Sequence, residues 1–280
     1  MSGGAGAPLA VRLRKRARGQ ALSLATAFCF ATMLLPILFV CWLSFFSNEI
    51  LSFPPEGYTL RWFAALWRQP QFADGFITSV EVGAIAMLGG LALGIPASLA
   101  LVRAALPLRE SLNTLLLSPL IVPNIVIGTA LYLFFIDVEI ATEWPLTGST
   151  VGLALGHILI TIPWTVRLIA ANLVGVDRAI EEAAMNLGAD RLRTLLRVTL
   201  PLIRPGVVAA ALFSFVVSFG NLELSLFLVG PGATTLPIAI LQYLEWKIDP
   251  TIAAVSLVQI AIVIAAMLAT NRFVRLSQVV

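Results

Sequence analysis

The sequence predicts an all-α protein that crosses a membrane six times, and two observations indicate this fold class. First, 59% of the 280 residues are apolar and only 12% are charged, whereas a soluble domain normally has about twice that charged fraction. Second, apolar runs of about 18 residues or more recur along the chain, as transmembrane helices require. The net charge of +3 does not indicate a nucleic-acid partner, because the basic residues mark one side of the predicted membrane.

A basic N-terminal tail, residues 1–20, precedes a transmembrane domain that we place at residues 21–280. The first apolar run is longer than that of a signal peptide, and no small-residue cleavage site follows it, so we expect it to remain as the first span. Glycines and prolines interrupt the next three runs, which is typical of a packed bundle with bent helices. The predicted spans lie at about 21–46, 77–102, 112–136, 151–174, 206–229 and 252–271.

The distribution of basic residues predicts that both termini are cytoplasmic. All of the 18 arginines and lysines except Arg61, Arg68 and Lys247 fall in the two tails or in connections on the same side. By the positive-inside rule that side faces the cytoplasm. The long first outer loop, residues 47–76, is rich in aromatic side chains, which predict a short interfacial helix.

Several chemistries are absent from the sequence. Neither lysine, Lys15 nor Lys247, lies in a GK[ST] phosphate loop, so the chain cannot bind ATP by that route. His157 is the only histidine, so we expect no histidine-based metal centre. It is either a hydrogen-bonded packing residue or part of a polar pathway. Cys29 and Cys41 lie too far apart along one helix to form a disulfide. We therefore predict no enzyme activity, no metal site and no cofactor for this chain itself.

The stretch EEAAMNLGADRLRTLLRVTLPLIRPG, residues 181–206, is a charged connection between the predicted fourth and fifth spans. Just before this stretch, Asp177 can cap the N-terminus of a helix, and acidic residues in the first turn of that helix suit its dipole. Gly188 is placed to end that helix in a left-handed conformation. Asp190 can cap a second helix. The cytoplasmic segment 175–205 is thus predicted to be a helix–glycine–helix hairpin.

The second helix of this hairpin shows an apolar stripe at Leu192, Leu195, Leu196 and Thr199, which we expect to face the protein. Prolines at 201 and 205 are expected to end it. From the residues alone, the hairpin is either an ordinary solvated loop or a docking surface for another protein.

The spacing of this segment resembles the EAA motif of ABC-importer permeases. That pattern is EAA, three residues, G, nine residues, I-x-LP, and here Glu182-Ala183-Ala184, Gly188 and Val198-Thr199-Leu200-Pro201 match it with Val in place of Ile. The likeness extends over about residues 75–275. It implies the type I ABC importer permease fold and a coupling helix that docks on a separate ATPase. The coupling residues it implies are Glu181, Glu182, Ala183, Ala184, Asn186, Leu187 and Gly188.

The resemblance also implies partners and a location. Two ATPase subunits would bind ATP and Mg²⁺, and their closure would switch the permease pair from inward-open to outward-open. A second permease, expected to be a different chain, and an extracytoplasmic binding protein would complete the transporter. The assembly would lie among the lipids of the bacterial cytoplasmic (inner) membrane.

A polar stripe in the fifth span is the candidate translocation pathway. Ser214, Ser218, Asn221 and Ser225 recur at helical spacing on one face. The stripe fits either a pathway or helix packing through small hydrogen-bonding residues. Glu223 lies almost opposite, and a carboxylate inside a span needs a partner or a water-filled space.

The pattern is most similar to spermidine/putrescine permeases, through GPGATTLP and DPTIAA. Members of that group carry an aspartate pair where Gly220 and Asn221 stand here, a departure that weighs against a polyamine. A polyamine-like cation is the first substrate hypothesis, with phosphonate, ferric ion, thiamine or another organic solute as alternatives. Two other functions stay open. An ion-gradient-driven secondary transporter would need inverted repeats and mid-membrane ionisable residues; we find no repeat and only Glu223 and His157. A structural membrane subunit would not explain the EAA spacing.

Overall fold

A computed structural model describes residues 9–50 and 52–273, with side chains described over 19–50 and 52–270. The regular structure of these residues is helical, apart from one isolated bridge between Phe46 and Tyr58. Residues 1–8 of the predicted tail lie outside the described residues, and the first helix already begins at Leu9.

Long apolar helices dominate the described part of the chain. Five are long and apolar enough to cross a membrane, and the number is six if a pair bent by 72°, Arg191–Leu202 with Arg204–Phe219, counts as one span. The long helices are α1 (Leu9–Leu43), α3 (Pro70–Arg103), α5 (Asn124–Thr142), α6 (Thr150–Val174), α10 (Arg204–Phe219) and α13 (Pro250–Phe273).

Shorter helices connect the spans. The outer loop forms α2 (Arg61–Arg68), as predicted, but Trp62 is buried and donates its indole N–H to the Phe46 carbonyl at 2.6 Å. The others are α4 (Arg109–Leu117), α7 (Arg178–Asn186), α8 (Arg191–Thr194), α9 (Leu200–Leu202), α11 (Ser225–Leu228) and α12 (Leu236–Trp246).

Helices α3, α6 and α10 form the centre of the bundle. The backbone of α3 approaches α6 closely, because residues of α3 at the contact include glycines. A Cβ added at Gly90 would lie 2.8 Å from Thr161 Oγ1, and one added at Gly94 would lie 2.6 Å from Thr165 Cβ. The close approach lets Thr161 donate a hydrogen bond to the Ala86 carbonyl at 3.1 Å. Small residues and interhelical hydrogen bonds stabilise contacts in a membrane, where lipid removes the hydrophobic drive between helices.

Three predicted spans differ from the helices observed. The second begins earlier, at Pro70, because proline is well suited to the first turn of a helix. The third, predicted at 112–136, is wrong as one helix: a 3₁₀ turn and the prolines at 119 and 123 separate α4 from α5. The real span continues to Thr142.

The fifth span, predicted as one helix over 206–229, is also wrong. Helix α10 ends at Phe219, and Gly220 follows as its C-cap. Asn221 then accepts the Leu224 N–H at 2.9 Å and begins a new turn that leads into α11. Helix α12 is not predicted. At 11 residues it is about 16 Å long, too short to cross a bilayer.

We predict that Gly94→Ala destabilises the protein by about 1–3 kcal/mol, the usual cost of forcing extra volume into a packed core. The added methyl group would collide with the β-branched side chain of Thr165. Thermal unfolding of the detergent-purified protein measures the effect. The control is Gly19→Ala in α1, where an added Cβ meets nothing within 4 Å. The double variant G94A/T165A should recover part of the loss; equal stability of G94A and wild type would contradict the packing described.

Candidate functional site

The charged segment between α6 and α10 folds as the predicted hairpin. Asp177 Oδ1 accepts the Ala179 N–H at 2.9 Å and caps α7. Gly188 has φ +91°, a left-handed conformation that a β-carbon would strain. Its N–H donates to the Met185 carbonyl at 3.0 Å, and the next N–H, that of Ala189, donates to Ala184 at 3.1 Å, so the end of α7 is closed by hydrogen bonds.

The second helix begins as predicted but faces the protein differently. Asp190 Oδ1 accepts the Arg193 N–H at 2.7 Å and caps α8. The chain then continues as a π-helix over Leu195–Thr199. Its wider, five-residue repeat brings Thr194 and Thr199 to the buried side. The predicted inward stripe is therefore wrong at Leu192 and Leu196, whose side chains are exposed.

The two adjacent glutamates of the hairpin have different environments. Glu181 is buried, lies 3.1 Å from Arg103 Nε at the end of α3, and accepts a hydrogen bond from Thr199 Oγ1 at 3.0 Å. Arg103 also donates to the Val176 carbonyl at 2.9 Å. Glu182 is exposed and its only ion pair within the described chain is with Arg178, at 3.4 Å. Glu181 therefore holds α7 against α3, whereas the Glu182 side chain lies at the outer surface of the hairpin.

The outer surface of the hairpin combines small and apolar side chains. Of the predicted coupling residues, Glu182, Ala183, Asn186, Leu187 and Gly188 are exposed and Ala184 is half-buried. Leu187 is 91% exposed. Ile180, Met185, Leu192 and Leu196 are exposed beside it. A clustered apolar surface of this kind is typical of a protein-interaction site.

The polar residues of the fifth span lie on both sides of its break and are buried. Ser218 Oγ lies 2.7 Å from Nδ1 of His157, and Ser225 Oγ lies 3.1 Å from Nε2. Because Ser225 donates its own proton to the Asn221 carbonyl at 2.8 Å, Nε2 is the histidine's donor and Nδ1 accepts from Ser218. Ser214 is buried without a partner among the described residues. This geometry supports the packing interpretation of the stripe and of His157.

Glu223 has a different environment from these serines. It is exposed and lines a cavity of about 350 Å³ with Trp164 of α6 and Asn124 at the start of α5. The cavity lies where the break in the third span meets the break in the fifth. Trp164 is near the middle of α6, so the cavity is at about half the depth of the bundle. Irregular backbone at that depth is tolerated where it lines a cavity.

A second polar cavity contains residues that the sequence analysis missed. Asp74, Thr78 and Glu81 lie along one face of α3 and line a space of about 380 Å³, together with Gln71 and Gln242. Asp74 and Glu81 are two turns apart, about 10.5 Å along the helix. Glu81 falls inside the predicted second span, and a carboxylate in an apolar run is the signal that could have identified this site.

No group of three or more metal-ligating side chains is found in the described part of the chain. Neither cysteine forms a disulfide there.

Comparison with known proteins identifies the family. Residues 86–278 match the family described as binding-protein-dependent transport system inner membrane component. The putrescine transport system permease protein PotI of Escherichia coli (strain K12) is 30% identical over 236 residues, which cover 84% of this chain and 82% of PotI. The spermidine/putrescine transport system permease protein PotC of Haemophilus influenzae is 25% identical over 247 residues, covering 88% and 93%.

Solved structures show the same fold at low sequence identity. A bacterial ABC transporter that imports the acidic polysaccharide alginate superposes with a TM-score of 0.73 at 13% identity, covering 93% of this chain and 97% of that one. The inward-facing MetNI methionine ABC transporter superposes with a TM-score of 0.63 at 19% identity, covering 78% and 98%. The described chain thus has the type I ABC importer permease fold. This protein belongs to the family of binding-protein-dependent transport system inner membrane components and is the permease component of an ABC importer.

Proposed function

We propose that this permease is driven by two separate ATPase subunits that dock on α7, and that it passes a small organic cation delivered by an extracytoplasmic binding protein. The observation that supports the docking proposal is that Glu181 and Glu182, although adjacent, have different environments. One carboxylate is buried against α3, and the next is exposed beside Ala183 and Leu187. The methyl group of Ala183 and the lack of a side chain at Gly188 leave room for a close contact.

The anchoring contacts supply a route from the docking surface to the spans. Arg103 joins Glu181 to the end of α3, whose glycines pack directly on α6. Thr199 joins the same carboxylate to the π-helix, and α9 continues from there to α10. A displacement of α7 would therefore move the central helices with it, as in rigid-body switching about an interface.

The proposed assembly contains a second permease of a different sequence, in the bacterial inner membrane, with both termini of this chain cytoplasmic. The basic residues around α7 support a cytoplasmic position for the hairpin and the termini. The span Gly19–Leu43 of α1 is not buried within the described chain, and its exposed apolar surface supports a position in the membrane beside lipid or the second permease. A lipid-facing or partner-facing position would cover that surface.

The proposed cargo carries at least one protonated amine. The acidic pair Asp74 and Glu81 opens to a polar cavity, and none of the described residues that line it is basic. Glu223 and Trp164 line the mid-depth cavity, and an ammonium group can bind both a carboxylate and an indole face. The relatives named for putrescine and spermidine transport support the same chemical class.

We predict that Glu182→Lys uncouples the transporter. Loss of a charge-assisted contact costs about 1.5–3 kcal/mol, so the affinity for the ATPase should fall by about tenfold or more. Co-purification of the ATPase and binding-protein-dependent uptake into proteoliposomes measure it. Glu110→Lys is the matched charge reversal, because Glu110 is likewise exposed and lies in α4, outside the hairpin. Unchanged uptake by E182K, or an equal loss in E110K, would contradict the docking proposal.

We predict that Glu81→Gln raises the KM for a diamine by about tenfold, because an amide cannot form the ion pair. The measurement is ATP-driven diamine uptake with saturating binding protein. Glu245→Gln is the control, because Glu245 is exposed in α12 and does not line the cavity. An unchanged KM would rule out Glu81 as a contact. If the wild type hydrolyses ATP with its partners but takes up no amine, the cargo is wrong and the permease assignment stands.

A further inference from the structure

A cavity of about 530 Å³ lies between the end of α3 and the hairpin formed by α7 and α8. Its walls combine three arginines, Arg103, Arg178 and Arg191, with the buried side chains of Glu181 and Thr194. This space shares no lining residue with the cavities that Glu223 and Glu81 line, and it lies at the end of the bundle where the spans meet the hairpin. The docking surface shares only Met185 with the lining of this cavity, and Glu181 and Thr194 are buried.

The charge of the cavity favours an anion. Glu181 is the only carboxylate in its lining, and that carboxylate is already bound by Arg103 and Thr199. Arg178 has only an exposed partner, Glu182, outside the lining, and such pairs contribute little. Arg191 forms no ion pair with any described residue. Three guanidinium groups thus surround a space with one compensated negative charge.

A buried donor in the same wall lacks an acceptor. The Thr194 side chain is 5% exposed, and its hydroxyl has no hydrogen-bond partner among the residues that the structure describes. A buried hydroxyl without a partner is unfavourable, so such groups usually meet a ligand or an ordered water. The Thr194 hydroxyl therefore also favours a ligand with oxygen acceptors, independently of the charge of the cavity.

The position of the cavity indicates that the ligand is a lipid headgroup. Arg103 is the last residue of α3, so the cavity is at the level where a membrane span ends and lipid headgroups begin. Leu99 and Leu195 line the same space and offer an apolar surface to an acyl chain. Basic pockets at this level are suited to anionic lipid headgroups, and guanidinium groups bind phosphate oxygens in pairs.

We propose that this cavity binds the phosphate group of an anionic phospholipid, with Arg191 and Thr194 as the residues that select it. The phosphate oxygens accept hydrogen bonds from Arg191 and from the Thr194 hydroxyl, and an acyl chain follows Leu99. A bound lipid would fill the space beside the junction of Arg103 and Glu181. The position of α7 would then depend on the anionic lipid content of the membrane.

The test is native mass spectrometry of the full-length, detergent-purified permease titrated with phosphatidylglycerol or phosphatidylcholine. We expect one phosphatidylglycerol to bind about tenfold more tightly than phosphatidylcholine, because both lipids carry a phosphate but the choline group adds a positive charge beside the three arginines. Arg191→Gln should remove most of that preference, and Arg193→Gln should not, since Arg193 is an exposed arginine of the same helix that does not line the cavity. Equal binding of both lipids by the wild type would overturn the proposal.

Thr194→Val separates a built site from general electrostatic attraction. Valine keeps the shape and charge and removes the unpartnered hydroxyl, so thermal stability without lipid should stay equal or rise while phosphatidylglycerol affinity falls several-fold. Unchanged affinity would overturn the role of Thr194.

Inorganic phosphate serves as a competitor of the lipid. Displacement of the lipid by phosphate would identify the headgroup phosphate as the recognised part and support the site. If R191Q alters only ATPase association and not lipid binding, the cavity is part of the docking surface and the proposal is wrong.

Discussion

The junction of Arg103, Glu181 and Thr199 is the contact on which the account of this permease depends. The Glu181 carboxylate joins three parts of the chain: α7, the end of α3 and the π-helix that leads towards α10. Both side chains of the Arg103–Glu181 pair are largely shielded from solvent, so removal of one would leave the other without its partner and destabilise the hairpin. The same contact therefore stabilises the hairpin and ties its motion to the spans. If an ATPase docks on α7 as proposed, force applied to that helix would pass through this junction.

At the breaks in the third and fifth spans, polar groups near mid-depth are paired or lie beside a cavity. The fifth span breaks after Phe219, and Asn221 supplies the hydrogen bond that restarts it. His157 holds both sides of that break through Ser218 and Ser225. The third span breaks at the same depth, and the two breaks enclose the space lined by Glu223 and Trp164. Broken helices of this kind carry polar groups into a membrane without exposing them to lipid.

Local features of the hairpin could be predicted from the sequence, and features that depend on distant partners could not. The caps at Asp177 and Asp190 and the left-handed Gly188 were predictable, because each depends on a few neighbouring residues. The role of Glu181 was not, because Arg103 lies 78 positions earlier in the chain. The inward stripe failed because a π-helix changes the repeat from the α-helical one. The prolines of the third span were visible, but a run of apolar residues does not show which proline ends a helix. Glu81 was overlooked inside an apolar run, although Asp74 and Thr78 share its helix face. Gln242 of α12 also lines the cavity and could not have been placed from the sequence.

The most direct test of the central claim is a distance measurement across the junction during the ATP cycle. Spin labels at Ala179→Cys on α7 and Leu93→Cys on α3 both occupy exposed positions outside the proposed docking residues, with Cys29 and Cys41 replaced by serine. In the assembled transporter, the account predicts that this distance stays constant within about 2 Å, the size of ordinary helix shifts, while the distance between the coupling helices of the two permeases shortens on ATP binding. If α7 instead moves relative to α3 by more than that while α3 stays in place, the junction does not transmit the motion and the account is contradicted.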